Sequence, residues 1–240
     1  MANPRQIYQF KINKIIDHTK EIRELYLELI NLPEFTFRAG QFVMLHVPVE
    51  NAKPALRAYS IASTDEQKNG FKLIFKYVDQ GIASRYVWSL KENEILNFTG
   101  PFGKVFFQEP PTPQVLFFNT GSGLSQHFCF LESNLKKYPH LHYKLCFGIR
   151  REENIYYEKE LKHLQKTLPN FEYHYVLSRP SETWTGKKGY IQNFLNETDF
   201  KNIPTTFYLC GNSAMIKDLK HQLIEVDGID KSKIWAEAFD

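Results

Sequence analysis

The chain is short of cysteine: Cys129, Cys146 and Cys210 are its only three, far apart in 240 residues. That spacing offers neither a disulfide framework nor the ligand set of a zinc or iron-sulfur centre, so no metal site is expected. Any redox chemistry then needs an organic cofactor. Long apolar runs are missing too; none approaches the ~20 residues of a membrane helix. Met1 to Phe10 lacks the apolar core of a signal peptide. These absences set the expectation of a cytoplasmic protein without membrane insertion. Charge imbalance is small, and a formal net charge of +3 gives no reason to expect a nucleic-acid partner. Repeats and low-complexity segments are also lacking. What remains is 42% hydrophobic and 24% charged, the content of a soluble globular protein long enough for two modest cores.

The first part of the chain alternates short strand-like runs with turns. Tyr8 to Ile16, Ile22 to Ile30, Gln41 to Val49, Arg57 to Ser63 and Phe71 to Val78 read as strands of an antiparallel sheet or small barrel. Within it, Arg57-Ala-Tyr-Ser-Ile-Ala-Ser63 places Arg57, Tyr59, Ile61 and Ser63 on one face by simple alternation. A guanidinium, a flat phenol and a hydroxyl in one row suit a flat, phosphate-bearing ligand, although an ordinary solvated strand shows the same alternation. Asp79 to Leu90 follows, with Gly81 permitting a tight turn and Ser84 placed to cap a short helix. Free N–H groups at that helix start would hold phosphate, or the segment is a plain capped helix. Gly100-Pro-Phe-Gly103 reads as a closing turn.

Glu109-Pro-Pro-Thr-Pro-Gln114 has little capacity for helix or sheet and is the candidate linker between domains spanning 1–108 and 115–240. After it the pattern changes to strands alternating with helices, which predicts a parallel, doubly wound α/β sheet. The strands are Val115 to Asn119, Tyr143 to Ile149, Phe171 to Leu177, Thr205 to Cys210 and Ile234 to Phe239. Helices are predicted over Ser125 to Lys136, Tyr157 to Leu168, Tyr190 to Asn196 and Ala214 to Val226.

Thr120-Gly-Ser-Gly123 sits between the first strand and first helix of that sheet, where a nucleotide fold keeps its phosphate loop. It lacks the third glycine of the dinucleotide fingerprint and the lysine of a P-loop, so close approach of a nucleotide is read rather than triphosphate hydrolysis. Ser178-Arg179 and Lys187-Lys-Gly-Tyr-Ile-Gln192 supply cations, a hydroxyl and a stackable ring suited to a phosphate on an adenosine ribose, or else are solvated loop charges. Cys210 ends a strand before Gly211, where sheet enzymes work, but it could equally be a buried structural cysteine.

Taken in order, these motifs resemble those of the plant-type ferredoxin-NADP reductases and their flavodoxin-reductase relatives. They are Arg57-Ala-Tyr-Ser60, Gly81-Ile-Ala-Ser84, Gly100-Pro-Phe-Gly103, Thr120-Gly-Ser-Gly123, Ser178-Arg179, Lys188-Gly-Tyr-Ile-Gln192, Cys210-Gly-Asn212 and Glu237-Ala-Phe239. The resemblance covers nearly the whole chain. It implies an FAD-binding antiparallel β-barrel followed by an NADP(H)-binding α/β domain. By it, Arg57 holds the FAD pyrophosphate, Tyr59 stacks on the isoalloxazine and Ser60 meets its hydride-accepting edge. Gly81, Ala83 and Ser84 line the pyrophosphate, and Ala58, Lys76, Thr120 and Phe239 complete the FAD set. Gly121, Gly123, Arg150, Ser178, Arg179, Lys188, Tyr190, Cys210 and Gly211 are the implied NADP set, with Ser60, Cys210 and Glu237 the catalytic residues.

Two departures from the family pattern stand out. Ser125-Gln126 replaces a small residue and a proline after the glycine loop, and the terminal aromatic is Phe239, followed by Asp240, where plant enzymes have tyrosine. The implied activity is hydride exchange between NADP(H) and FAD, and single-electron exchange with ferredoxin or flavodoxin, by a monomer. The alternatives are an NAD(P)H reductase for an oxygenase component, a cytochrome or free flavin, and a non-catalytic flavin or nucleotide sensor. Lys11, Lys14, Lys20 and Arg23 could dock an acidic carrier, or simply be solvated. For Phe239 two roles are open: a gate over the flavin that nicotinamide must displace, or an anchor for an edge strand.

Overall fold

A computed structural model describes residues 6–239. Expectations that touch residues 1–5 or Asp240 lie outside the described residues. The chain divides into two compact units, Met1–Phe106 with Phe128–Ser133, and Phe107–His127 with Asn134–Asp240. Among the described residues no helix is long and apolar enough to cross a membrane.

In the first unit, alternation of apolar and polar residues produces strands that bury one face. β1 (Tyr8–Asp17) turns Tyr8, Phe10 and Ile12 inward, and β2 (Ile22–Leu29) turns Leu25, Leu27 and Leu29 inward. With β3 (Phe42–Val47), β4 (Ala55–Ser60), β5 (Gly70–Lys76) and β6 (Ile95–Phe102) they form one antiparallel sheet in the order β4-β3-β6-β1-β2-β5. The sheet curls: an isolated bridge from Ile61 to Leu73 ties the chain after β4 to β5, at the opposite edge. Inside it Phe10 meets Phe71 at 4.5 Å, Phe35 at 5.6 Å and Phe98 at 5.7 Å between ring centroids. Such edge and tilted ring pairs are worth about 0.5–1.5 kcal/mol each beyond their buried area. Helix α1 (Ile82–Ser89) follows β5.

Three local expectations for this unit need correction. Gly100-Pro101-Phe102 is not a turn but the end of β6, because the partner strand β3 shifts register between Phe42 and Met44 and Gly100 takes a φ of +145° beside it. β4 stops at Ser60, so the ligand-facing row does not continue to Ser63. Ser63 is buried, and its hydroxyl accepts from the Lys72 N–H at 3.0 Å. Ser84 does not cap α1: Gly81 holds the N-cap position, and the Ser84 hydroxyl accepts from the Val78 N–H at 2.8 Å instead.

In the second unit, β7 (Gln114–Thr120), β8 (His142–Ile149), β9 (Phe171–Leu177), β10 (Lys187–Lys188), β11 (Thr205–Gly211) and β12 (Ile234–Ala238) form a parallel sheet ordered β10-β9-β8-β7-β11-β12. Strand order reverses at β7: the chain moves outward through β8 and β9, then returns to place β11 on the other side. β7 and β11 are buried nearly throughout and carry the apolar runs Val115–Phe118 and Phe207–Cys210, as strands covered on both faces require. Leu116, Phe118, Phe207 and Leu209 share one core with Met215, Ile216 and Leu219 of α4 (Ser213–His221). Helices α2 (Leu124–Asn134) and α3 (Glu158–Thr167) make the other crossovers.

Here too the sequence expectation is adjusted. Lys187 and Lys188 form β10 rather than opening a helix, and the helix expected at Tyr190 is a 3-10 helix over Ile191–Glu197. The last helix ends at His221 and continues as a π-helical turn, Gln222–Val226. The proline-rich segment before β7 is held at both ends: Glu109 accepts from Tyr138 at 3.0 Å, and the hydroxyls of Thr112 and Thr206 lie 2.8 Å apart.

Candidate functional sites

In the first unit the edge strand β4 carries Arg57 and Tyr59 on one side and Ser60 on the other. Arg57 is exposed; its Nη1 donates to the carbonyl of Leu56 at 2.9 Å, and among the described residues no carboxylate pairs with it. Such a guanidinium is available for an anion. Tyr59 lies with its ring centroid 4.3 Å from that of Phe75, and burial pushes its phenol up to about 12, against the pull of the Arg57 charge. It is therefore a neutral, flat surface at any ordinary pH. Ser60 is buried, and its hydroxyl has no hydrogen-bond partner among the described residues. A buried hydroxyl left unpaired costs about 1–3 kcal/mol, which a ligand offering the missing bond would recover.

Lys76 ends β5 beside Phe75 and is exposed. Ala58 is exposed on β4 between Arg57 and Tyr59. At Gly81 a Cβ would lie 3.0 Å from the Val78 carbonyl and 3.2 Å from the Ser84 hydroxyl, so only glycine fits without displacement. The first-turn N–H groups of α1, Ala83 among them, have no helical carbonyl to meet, which fits a phosphate-bearing ligand.

The second unit gathers its candidates at the carboxyl ends of β7 and β11, on either side of the reversal in strand order, where open α/β sheets bind ligands. Two glycines make this possible. A Cβ at Gly123 would sit 2.4 Å from the Cys210 carbonyl oxygen, and one at Gly211, whose φ is +127°, would sit 2.4 Å from the Thr120 hydroxyl. The two loops therefore touch, and the Asn212 N–H donates to the Thr120 hydroxyl at 2.9 Å. Gly121 is tied in through its carbonyl, which accepts from the Tyr156 hydroxyl at 2.9 Å.

Cys210 is fully buried, and burial, helped by the nearby Glu237 charge, holds its thiol well above the ordinary range. It is a neutral thiol, not a nucleophile. Glu237 stands opposite it on β12, register partner to register partner. Burial raises the Glu237 carboxyl to about 7, while a hydrogen bond donated by Gln126 pulls it the other way. Phe239, half-buried, has its N–H bonded to the Gly211 carbonyl at 2.8 Å.

A second cluster lies at the carboxyl ends of β8, β9 and β10. The Arg179 N–H donates to the Arg150 carbonyl at 2.8 Å, that of Ser178 to Ile149 at 3.1 Å and that of Gly189 to Leu177 at 2.8 Å. Arg150, Arg179 and Lys188 are all exposed, and among the described residues none has a carboxylate partner. Lys187, by contrast, is taken up by Glu197 and lies over the Phe194 ring. Tyr190 is 65% exposed, a ring without a packing role. The structure thus brings Arg150, Ser178, Arg179 and Lys188 to one edge, and Thr120, Gly121, Gly123, Cys210, Gly211 and Glu237 to another place on the same sheet.

Sequence reasoning missed several residues. Asn212 caps α4, its side-chain oxygen accepting from Ala214 and Met215 at 3.0 and 3.3 Å; an Asn one residue before a helix start is a legible signal for this. Asn119 and His127, both buried, face one another at 3.3 Å. Nothing in local spacing announces that pair or the one between Gln126 and Glu237.

Comparison with known proteins shows the family to which both units belong. Residues 9–107 match the oxidoreductase FAD-binding domain family, and residues 117–221 the oxidoreductase NAD-binding domain family. Ferredoxin--NADP reductase B of Sorangium cellulosum is 30% identical over 227 residues, covering 91% of this chain and 92% of that protein. One component of the Na(+)-translocating NADH-quinone reductase of Klebsiella pneumoniae is 32% identical over 210 residues, 79% of this chain, and the match spans only 51% of that relative's length. Among solved structures, a cytochrome P450 reductase of Amycolatopsis superposes with a TM-score of 0.88 at 22% identity, covering 98% of this chain and 70% of that one. The ferredoxin-NADP+ reductase of Plasmodium falciparum with 2'P-AMP gives 0.82 at 21%, covering 100% and 98%; both likenesses speak for the fold. On fold, ordered motifs and sequence identity together, the chain belongs to the ferredoxin-NADP reductase family, as an oxidoreductase with FAD- and NAD(P)-binding domains.

Proposed function

We propose that the protein exchanges a hydride between NADP(H) and FAD and single electrons with ferredoxin or flavodoxin, as a cytoplasmic monomer. Its proposed domains are 1–108 for FAD, 109–114 as linker and 115–240 for the coenzyme. The observation that carries the flavin part is the buried, unpartnered Ser60 hydroxyl at the end of β4, a strand whose other side carries an uncommitted guanidinium and a neutral phenol ring. Bound FAD would supply two-electron acceptance and single-electron release. The chain's own work is positional. Arg57 and the first turn of α1 would hold the pyrophosphate, Tyr59 would cover the ring system, and Ser60 would bond its edge. In the second unit Gly121, Gly123 and Gly211 admit the nucleotide backbone. Cys210 gives a small neutral contact, and Glu237 an acceptor or donor according to its proton.

Choice of NADP(H) rests on Arg150, Arg179 and Lys188, three cations without carboxylate partners and with a hydroxyl, Ser178, beside them. A second reading, NADH with another acceptor, has an observation of its own. Glu152 accepts from the N–H of Ser181 at 2.9 Å, which puts a carboxylate suited to a ribose diol near Arg179. The relative from Klebsiella is named an NADH-quinone reductase. Turnover with NADPH and NADH, each with ferredoxin, flavodoxin and an artificial dye, separates the two. A preference for NADPH that Arg179→Ala with Lys188→Ala erodes, NADH turnover being kept, supports the first reading. Equal use of both coenzymes sinks it.

A further inference from the structure

Gln126 occupies a position at which this chain departs from the family pattern, where relatives usually place proline. Proline has no side-chain donor; glutamine has one. Gln126 lies in the first turn of α2, is 1% exposed, and directs its Nε2 at Oε2 of Glu237, 111 residues away in the chain. Desolvating a primary amide is costly unless its donors are met, so this bond selects the side-chain conformation. The other Glu237 oxygen, Oε1, makes no hydrogen bond with any described residue, although the residue is more buried than exposed and stands against Cys210. One carboxylate oxygen is therefore anchored and one left over.

We propose that Gln126 is a positioning residue for Glu237, anchoring Oε2 so that Oε1 is presented at the end of β11 as the acceptor for a primary carboxamide, such as that of a bound nicotinamide coenzyme. This rests on the coenzyme site proposed above. The donor chemistry decides the ligand class: an ionised carboxylate oxygen takes N–H donors and refuses carbonyls and phosphates. An amide N–H bonded to the carboxylate also favours its charged form, so the same contact sets the pH at which Oε1 becomes an acceptor.

The groups around Glu237 do not confuse this. On β11 the titratable neighbour is Cys210, a neutral thiol. On α2 it is His127, which burial holds neutral above a pKa of about 3. α4, which also packs on β12, carries Lys217, Asp218, Lys220 and His221, and Lys231 and Lys233 precede the strand; none of these bears on the Glu237 carboxyl, whose balance lies between burial and the Gln126 bond.

The test is Gln126→Met, which keeps the volume and removes the donor, on FAD-loaded full-length protein. Carbon-13 NMR of glutamate-labelled protein, with Glu237→Gln to assign the signal, reads the carboxyl directly. Dissociation constants for NADP+ and NAD+ are measured across pH 5.5 to 9. The Gln126→Met variant should raise the Glu237 midpoint by about one pH unit, the tenfold effect of one charge-assisted hydrogen bond, and carry the rise of coenzyme affinity with pH upward by the same amount. Glu237→Gln should abolish that pH dependence. An unmoved carboxyl midpoint in Gln126→Met overturns the proposal, as does a moved midpoint with an unmoved affinity profile. Failure of the unaltered protein to bind either coenzyme would instead overturn the proposed function, with the carboxyl titration still deciding whether Gln126 holds Glu237.

Discussion

Ser60 and Arg57 carry unspent hydrogen-bonding capacity rather than visible strain. The Ser60 hydroxyl is buried without a partner, and the Arg57 guanidinium bonds only to the preceding carbonyl. Neither contributes to folding in a way that explains its presence. Ser60→Ala should leave the apoprotein as stable as before, or more so, because a desolvated hydroxyl is removed along with its cost. The same change should reduce the extra thermal stability conferred by FAD, measured as the difference in Tm with and without cofactor. A Ser60→Ala protein that loses apo stability and keeps the full FAD increment would assign the hydroxyl to the core. Arg57→Ala should weaken FAD retention by about 1.5–3 kcal/mol, the range of a charge-assisted contact, read by equilibrium titration of flavin fluorescence. Unchanged retention would place the pyrophosphate elsewhere.

At the scale of elements, the strands of both units were legible wherever alternation or a continuous apolar run was long enough, as in β1, β2, β7 and β11. Legibility failed where tertiary partners overrode local signals. Gly100 and Pro101 signal a turn, yet they belong to β6, where the two of them stand opposite the single residue Val43 of β3 as a bulge. Ser84 signals a cap, yet its hydroxyl turns back to Val78. Lys187 and Lys188 look like a helix start but extend β9's edge as β10. The glycine loop after β7 was legible as a tight connection between the first strand and first helix of the parallel sheet; its close approach to Cys210 was not, since it depends on residues nearly ninety positions on. That approach yields a prediction. Gly123→Ala brings a methyl group to 2.4 Å from the Cys210 carbonyl, so the two loops must part. Overpacking of this kind costs about 1–3 kcal/mol, and coenzyme affinity should fall with it while FAD content is kept. A well-folded Gly123→Ala protein with unaltered coenzyme affinity would mean that the contact of these loops is irrelevant to binding.

For the molecule as a whole, two buried titrating groups act on stability in opposite senses. His127 has a folded-state pKa of about 3 against an ordinary 6.5, so the unfolded chain takes up its proton first, and stability is lost as pH falls from 6.5 toward 3. Glu237 has a folded-state pKa of about 7 against an ordinary 4.5. The folded chain holds that proton more tightly, and stability is gained as pH falls from 7 to 4.5. Between 6.5 and 4.5 the two effects oppose one another; below 4.5, of these two groups, the histidine alone acts, joined by carboxyls held below their ordinary range such as Glu197. The urea midpoint should thus change little through the first window and fall steeply beyond it. Glu237→Gln removes the compensation and should start the decline near pH 6.5. His127→Gln stays neutral at every pH and can still meet Asn119, so it should hold its midpoint to lower pH than the unaltered protein. If His127→Gln unfolds at the same acid pH as the unaltered chain, other groups govern the acid limit, and the buried imidazole is not what fails first.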